Sequence, residues 1–400
     1  MRTENLYISK NDCCGCEACA LSCPKHIISM HSDEEGFLYP IIKDSDACIN
    51  CGRCIGVCPI KTPGRACQSV LKSYGGYVLK ESDLKSSASG GYATAICQQF
   101  LQNHGVVYGV KYSDDFKETL YSRAARVEEL ESFRTSKYTQ ARKGRIYADV
   151  LSDIKNGEMV LFVGLPCEVS ALYHFVGKQI ENLYTISLIC HGPTSPKVHR
   201  EFCDFLECKK HAQLSSFSLR YKLKGWKPYY VRAGFINGEK YLHQLEQTSY
   251  GIAFQYLKRP SCYSCKYKSK NKNFGLVADL TLGDYHSADH GMPHYNSWGV
   301  SQATIQSVKG EYLVNLISDK CRLESISQEI ILKSNIAYHQ PVPPKKGRAK
   351  FINAMNKYSL TYAAHLPQIY LPYKYRVLKK RVKKLLFPFV NFARKLFLHG

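Results

Sequence analysis

Cysteine placement sets the chemistry open to this chain. Cys13, Cys16 and Cys19 fall three apart, Cys23 follows, and Pro24 comes directly after it; Cys48, Cys51, Cys54, Cys58 and Pro59 repeat the pattern. Cysteines at this pitch on a tight loop turn their sulfurs toward one centre, and the loop N–H groups face the negative charge of a cluster. Where two such runs occur, the Pro-followed fourth cysteine of each serves the other cluster. The spacing therefore predicts two [4Fe–4S] clusters. Cys13, Cys16, Cys19 and Cys58 hold one, and Cys48, Cys51, Cys54 and Cys23 hold the other. Four-cysteine zinc sites also use a C-x2-C step, but zinc explains neither the third cysteine, the proline nor the second copy. Cys14 lies outside the pattern and reads as a non-ligand. Two clusters pass electrons singly, and cluster potentials span roughly −700 to +450 mV, so the spacing leaves the direction of flow open.

Further along, Cys167 follows the apolar run MVLFV and opens a helical stretch, Cys190 closes a second apolar run in ICHGP, and RPSCYSCKY supplies Cys262 and Cys265. If the two runs are parallel neighbours, Cys167 and Cys190 meet at the carboxyl edge of a sheet, where open α/β sheets hold ligands. A helix start at Cys167 also favours a thiolate. These four cysteines suffice for a third site, although free cysteines are also common as small core residues.

The elements that must position these groups divide the chain into three parts. Residues 1–68 read as an α+β, ferredoxin-like two-cluster module, with a strand–turn–strand segment around Glu35-Gly36 between its cysteine runs. Residues 70–340 read as one α/β domain, in which β-branched runs alternate with helical patterns. Ile146, Val150, Leu151 and Ile154 share a helix face that Asn156-Gly157 ends. Strand, helix, strand in that order implies a parallel pair. Residues 341–400 open on the Pro-rich, basic PVPPKKGRAK, which reads as a linker, and end in a basic amphipathic helical tail.

Charge is distributed along the same lines. The net +22 falls mostly on residues 341–400, which hold fourteen Lys and Arg and no acid, leaving +8 for the rest. The body thus shows no polyanion-binding composition, and no nucleic-acid partner is expected. Eighteen cysteines without an apolar leader, and with no apolar run long enough to span a bilayer, point to a reducing, cytoplasmic setting. In the tail, Leu378, Val382, Leu385 and Leu386 share one helical face among lysines and arginines, and Phe389, Phe392, Ala393 and Leu396 continue it beyond Pro388. Such a segment suits an anionic membrane surface at its inner face; docking on protein is the alternative.

The motifs SASGGYATAI, TSKYTQARKG, VGLPCEVSAL, ICHGPTSP, KRPSCYSCKY with ADLTLGD, and NSWGVSQATIQSVKGEYL resemble, in the same order, those of the coenzyme F420 hydrogenase/dehydrogenase beta-subunit family. That resemblance covers roughly residues 1–310. It implies an FAD-binding middle domain and a third [4Fe–4S] cluster at Cys167, Cys190, Cys262 and Cys265. It also implies that Ser89, Gly90 and Gly91, Ser136, Lys137 and Tyr138, and Gly164, Leu165 and Pro166 line the flavin. The chemistry is compatible: small residues let backbone N–H groups approach a pyrophosphate, and Lys137 or a helix start offsets its charge. Asp284, at a predicted strand end, is a candidate for contact with the ribityl chain or substrate, or a turn cap. Many relatives carry Trp where His286 follows Tyr285, so the substrate side is not carried over. His286 is a candidate proton donor. With His290 and His294 it falls at a pitch of four, but Gly291 and Pro293 favour a surface loop over a metal-binding helix face.

The expected function is an iron–sulfur flavoprotein oxidoreductase. Clusters carry single electrons to or from FAD, which exchanges a hydride equivalent with a small organic substrate. A ferredoxin or a redox subunit is the expected electron partner, and quinone or cell-surface glycan chemistry would suit a tail at the membrane. Alternatives are a non-catalytic electron-relay subunit and a membrane-recruited interaction protein. No G-x-G-x-x-G follows a strand, so a nicotinamide site of that type is unsupported.

Overall fold

The two cysteine runs take up one backbone shape twice. Gly15 and Asn50, and then Glu17 and Gly52, occupy the left-handed region at matching places in the two copies. Each loop therefore curls alike and feeds a short helix, α1 (Ala18–Ser22) and α2 (Arg53–Gly56). Between them β1 (Ile28–Ser32) and β2 (Leu38–Ile42) form an antiparallel hairpin. Asp33 holds its turn, accepting from the backbone N–H groups of Glu35 and Phe37 at 3.1 and 2.9 Å. The computed structural model describes residues 6–63, 70–177 and 180–372, together with 374, 375, 378, 379 and 382.

The chain continues into a large mixed sheet through β3 (Lys72–Val78), β4 (Val106–Tyr112), β5 (Thr119–Ala124), β6 (Val160–Gly164) and β7 (Leu183–Leu188). It leaves for a three-stranded antiparallel sheet, β8 (Leu214–Tyr221), β9 (Tyr230–Phe235) and β10 (Lys240–Gln244), which sequence periodicity did not announce. It then returns with β11 (Leu280–Asp284), β12 (Ser301–Ile305) and β13 (Cys321–Ser325). The eight strands lie in the order β13-β3-β12-β11-β7-β6-β4-β5. β4, β6, β7 and β11 are mutually parallel, so the strand–helix–strand expectation holds at β6 and β7. Their carboxyl ends lead to Cys167, Cys190 and Asp284 on one edge.

Helices cover both faces because neighbouring residues of each strand point opposite ways. On one side α3 (Glu81–Ser86) and α4 (Tyr92–Gln102) bury Leu84, Ile96 and Phe100 against Leu161, Ile186 and Leu280. On the other, α5 (Ile146–Lys155) and α6 (Pro166–Val176) bury Tyr147, Val150, Val169 and Leu172 against Val160 and Phe162. Helices α7 (Pro196–Lys210) and α8 (Ser249–Tyr256) pack with β8 and β9 in a separate core. The short α9 (Val308–Asn315), α10 (Gln328–Ser334) and α11 (Ile336–His339) complete the domain.

Two boundaries differ from expectation. The N-terminal module keeps only a small core of its own, around Leu6, Cys23 and Ile28; Phe37 and Tyr39 join the core of α7 and α8, while Cys16, Ala18 and Ile60 join that of α5 and α6. Beyond Pro341, α12 (Arg348–Lys357) and α13 (Leu360–His365) are part of the body, not a linker. They bury Phe351, Ile352, Met355 and Leu360 against Tyr256 and its neighbours, and Ile369 just beyond them joins the same core. Each such side chain contributes about 1.5–3 kcal/mol, which outweighs the exposed look of a lysine-rich sequence. Of the tail face, Leu378 and Val382 are described and exposed. Leu385, Leu386, Phe389, Phe392, Ala393 and Leu396 lie outside the described residues. Among the described residues no helix is long and apolar enough to cross a membrane.

Candidate redox centres and ligand site

Cys13, Cys16, Cys19 and Cys58, assigned to one cluster from spacing, line a single cavity together with Cys14 and Cys54. Burial pushes the Cys19 thiol up, and Cys13 and Cys58 push it further. Burial likewise raises Cys54, whose cysteine neighbours are Cys23 and Cys51. Cys54 also adjoins Cys19 and lines the first cavity, so the two expected ligand sets are neighbours within the module. Thiols this buried ionise only with a compensating positive charge, which iron supplies. Among the described residues no three His, Cys, Asp or Glu side chains converge closely enough for one metal ion. A four-iron cluster holds its sulfurs at its corners, further apart than the ligands of a single ion. Cys51 is exposed, whereas Cys16 and Cys23 are buried, so one end of the module faces solvent.

The other four predicted ligands gather at the carboxyl edge of β6 and β7. Cys167 stands in the first turn of α6, where the Glu168 carboxylate accepts from the Leu165 N–H at 2.9 Å. Cys190 follows β7, and Cys262 and Cys265 come from the turn Pro260–Ser264 and its end. Gly192 lets two of these meet: its N–H donates to Cys190 Sγ at 3.2 Å. A side chain there would stand 2.8 Å from Cys262 Cβ. Burial raises the Cys262 thiol, with Cys190 and Cys265 adding to it. Lys268 steadies the loop by donating to the Cys190 and Ala337 carbonyls at 2.8 and 2.6 Å. Four thiols of this kind, one presented by a backbone N–H, fit a third cluster.

Cys14, set aside from spacing, links the groups. It packs with Cys16, Cys58, Cys167 and Cys265 in the core of α5 and α6, and Cys16 and Cys167 beside it hold its thiol well below the ordinary range. The first ferredoxin ligand set and the Cys167 set are therefore in contact. The module is fastened here by further bonds. Glu17 accepts from the Lys143 N–H at 3.1 Å, and Gln140 donates to the carbonyls of Cys14 and Gly15 at 2.9 and 3.1 Å. Tyr267 donates to the Pro59 carbonyl, and Lys266 to that of Ile60 at 3.0 Å. Glu35 takes both arms of Arg348 from α12.

A second polar group sits further along the edge. Gly91, at φ +90°, caps α4. Gly90 is pressed so closely on Gly76 and Ser301 that a Cβ would stand 2.5 and 2.3 Å from their backbone atoms. Lys222 donates to the carbonyls of Ser89 and Leu84 at 2.7 and 2.6 Å, and burial pushes it down to about 7. Arg220 pairs with Asp284 at 2.9 Å and lies 4.1 Å over the Tyr229 ring. Burial opposes the Asp284 charge, but Arg220 and His286 outweigh it and hold the carboxyl below its usual range. Tyr138 packs at a tilt against Phe254, ring centroids 4.8 Å apart, and adjoins Arg220 and Ser136. His286 stacks on Trp226 and stands 3.7 Å from Asp284; burial lowers it, so at pH 7 it is neutral.

Within this group Arg220 Nε and Nη2, Trp226 Nε1 and the Tyr229 hydroxyl are buried with no hydrogen-bond partner. Buried polar atoms are nearly always satisfied, and several together mark a place a polar ligand completes. Glycines at a helix start with Lys222 and Arg220 nearby fit the diphosphate of FAD. The expected residues divide. Ser89, Gly90, Gly91, Ser136, Tyr138, Asp284 and His286 come together. Gly164, Leu165 and Pro166 lie two strands away beside Cys167. Lys137, like Lys222, gives its ammonium to two backbone carbonyls, those of Ser132 and Arg134 at 3.0 and 2.8 Å, and burial pushes it down to about 7 as well. His290 pairs with Tyr295 and His294 is buried on Tyr285, so the three histidines share no face. Arg220, Lys222, Trp226 and Tyr229 were missed. The only hint was a second basic residue, Lys222, just beyond the strand end that carries Arg220.

Residues 157–329 match the family model for the C terminus of the coenzyme F420 hydrogenase/dehydrogenase beta subunit, and residues 12–62 match a 4Fe-4S dicluster domain. Among solved structures, a chain of the F420-reducing [NiFe] hydrogenase complex from Methanosarcina barkeri is 15% identical. The match covers 74% of this chain and 90% of that chain, with a TM-score of 0.45. No curated protein matches the chain.

Proposed function

We propose that this chain, which belongs to the coenzyme F420 hydrogenase/dehydrogenase beta-subunit family, is an iron–sulfur flavoprotein oxidoreductase. Its ferredoxin module, residues 1–68, takes electrons from or gives them to a redox partner at the exposed Cys51 end. The domain that follows holds a third cluster at Cys167, Cys190, Cys262 and Cys265, and an FAD near Ser89–Gly91, Tyr138 and Arg220. FAD supplies the conversion between single electrons and a hydride equivalent exchanged with a small organic substrate. The observation that carries this reading is that Cys16 and Cys58 pack in one core with Cys167 and Cys265, so that members of both candidate ligand sets are neighbours.

The chain's own residues have distinct tasks. Gly90 and Gly91 bring the start of α4 against a phosphate, and Lys222 and Arg220 offset its charge. Asp284 fixes Arg220, and the neutral His286 beside it is suited to accept a proton from a substrate in the resting chain. A relay subunit without turnover of its own is a second reading, favoured by the exposed Cys51 end, where a larger complex can dock. Iron and released flavin per chain, measured after anaerobic purification, test the proposal. About twelve irons with one FAD support it. About eight irons without flavin would leave only the ferredoxin module and sink the enzyme reading; flavin without turnover would favour the relay.

A further inference from the structure

Among the described residues Arg259 is the largest fully buried side chain, 1% exposed. It comes from the loop that carries Cys262, yet it points into the ferredoxin module. Nε donates to the Cys13 carbonyl at 2.6 Å, and Nη2 to the Leu38 carbonyl at 2.9 Å and to Cys13 Sγ at 3.3 Å. Nη1 donates to Gln140 Oε1 at 2.9 Å, and the guanidinium lies 4.2 Å over Tyr39. These partners are carbonyls, an amide, a ring and one sulfur, not a carboxylate. Gly15 leaves the room for this: a Cβ there would stand 2.5 Å from both Arg259 and Gln140.

A guanidinium cannot shed its charge in a protein, and a charge this buried calls for a counter-charge. The thiolate of Cys13 is the one its hydrogen bonds reach. We infer that Arg259 is the counter-ion of the cluster held by Cys13, and that it raises that cluster's reduction potential above that of the module's other cluster. The inference rests on the reading that Cys13, Cys16, Cys19 and Cys58 hold a cluster. Each added electron makes a cluster more negative, and a fixed positive charge at a ligating sulfur, unscreened by solvent, favours the reduced form. Among the described residues the other cluster has no such partner at its outer end: Cys51 is exposed, and the thiol of Cys48 reaches only the Asn50 amide, at 3.8 Å. The electron arriving at the Cys13 cluster comes from its neighbour and ultimately from the redox partner, with no bond made or broken. Because Arg259 is delivered by the Cys262 loop, the cluster nearest the third set is made the sink of the pair only while the module is docked.

The test is a potentiometric titration, followed by electron paramagnetic resonance, on the full chain purified anaerobically. It compares wild type with Arg259→Met, which keeps length but removes charge, and with Arg259→Lys, which keeps charge but loses the fork. Arg259→Met should keep its iron while one cluster becomes at least tenfold harder to reduce, about 59 mV for a one-electron couple. Arg259→Lys should shift the same cluster less, and the other clusters should not move. Full iron with all potentials unchanged in both variants would overturn the inference and leave Arg259 a structural tie. If Arg259→Met does not fold, Arg259→Gln, which also removes the charge but keeps hydrogen-bonding atoms, decides: an unshifted potential there overturns the inference. A wild-type chain that takes up no ferredoxin-type clusters would instead defeat the underlying reading, and the inference with it.

Discussion

Replacing Asp284 by Asn should destabilise the chain through Arg220, and the cost follows from the geometry. The Arg220 side chain is 6% exposed and that of Asp284 17%, with the two 2.9 Å apart. Removing one member of a buried pair costs about 3–5 kcal/mol, because the survivor keeps an uncompensated charge. Arg220 cannot escape by losing its proton. The Asn amide oxygen still accepts one hydrogen bond, and Asp284 is not wholly dry, so we expect about 2–3 kcal/mol. For a chain of this size that is about a 3 °C fall in the thermal midpoint. Asp284→Asn with Arg220→Met should recover most of the loss, since the stranded charge is gone. The pH dependence has a definite sign. The Asp284 carboxyl is depressed in the folded chain. Its contribution is therefore fully present above the ordinary carboxylate value and is lost as pH falls through the lower folded value. The gap between wild type and Asp284→Asn should stay constant through neutral pH and close only in acid. An Asp284→Asn chain as stable as wild type, or a double variant no better than the single, would refute the pairing argument.

Cys262→Ser should lower iron from about twelve to about eight per chain while the ferredoxin signals persist; iron analysis with resonance spectra checks this, and unchanged iron would rule out Cys262 as a ligand. Lys222, pushed down to about 7 by burial, should regain its proton beside a bound diphosphate. The complex then holds more protons than the free chain, so FAD binding should weaken by up to tenfold per pH unit above about 7 until the bound-state value is reached. Fluorescence titrations at several pH values read this directly, and Lys222→Met should flatten the profile. Gly15→Ala meets both a left-handed φ of +66° and a 2.5 Å approach to Arg259. It should cost at least about 2 kcal/mol, visible as a lower thermal midpoint.

What the sequence made legible was whatever is encoded locally. The eight ferredoxin cysteines are spaced by loop geometry alone, and the apolar runs at β6 and β7 announce a buried parallel pair, which brings Cys167 and Cys190 to one edge. Contacts between distant segments were not legible. Arg259, 246 residues from Cys13, has no local feature to distinguish it from a surface arginine. Cys14 looked superfluous because its partner Cys167 lies in another part of the chain. Lys137 looked available to a phosphate, but the turn preceding it folds two carbonyls onto its ammonium. Residues 341–350 looked like a basic linker because Pro341, Pro343 and Pro344 and the run Lys345, Lys346, Arg348 and Lys350 come just before Phe351, Ile352, Met355 and Leu360, the positions that dock.

The clasp of Arg348 on Glu35, beside Arg259, where Arg348 also donates to the Lys258 carbonyl at 3.3 Å, has a consequence for how current can flow. With Phe37 and Tyr39 sunk in one core, Ala18 and Ile60 in another, and a bond from α12 across the hairpin, the module is not a carrier on a tether. The spacing between donor and acceptor centres is set once, when the chain folds, and a solvent viscous enough to slow domain motion leaves the internal hops untouched. Only the step in which an outside partner finds the Cys51 end depends on diffusion. An excised module, by the same token, would be no miniature ferredoxin: it would present two torn apolar faces to water.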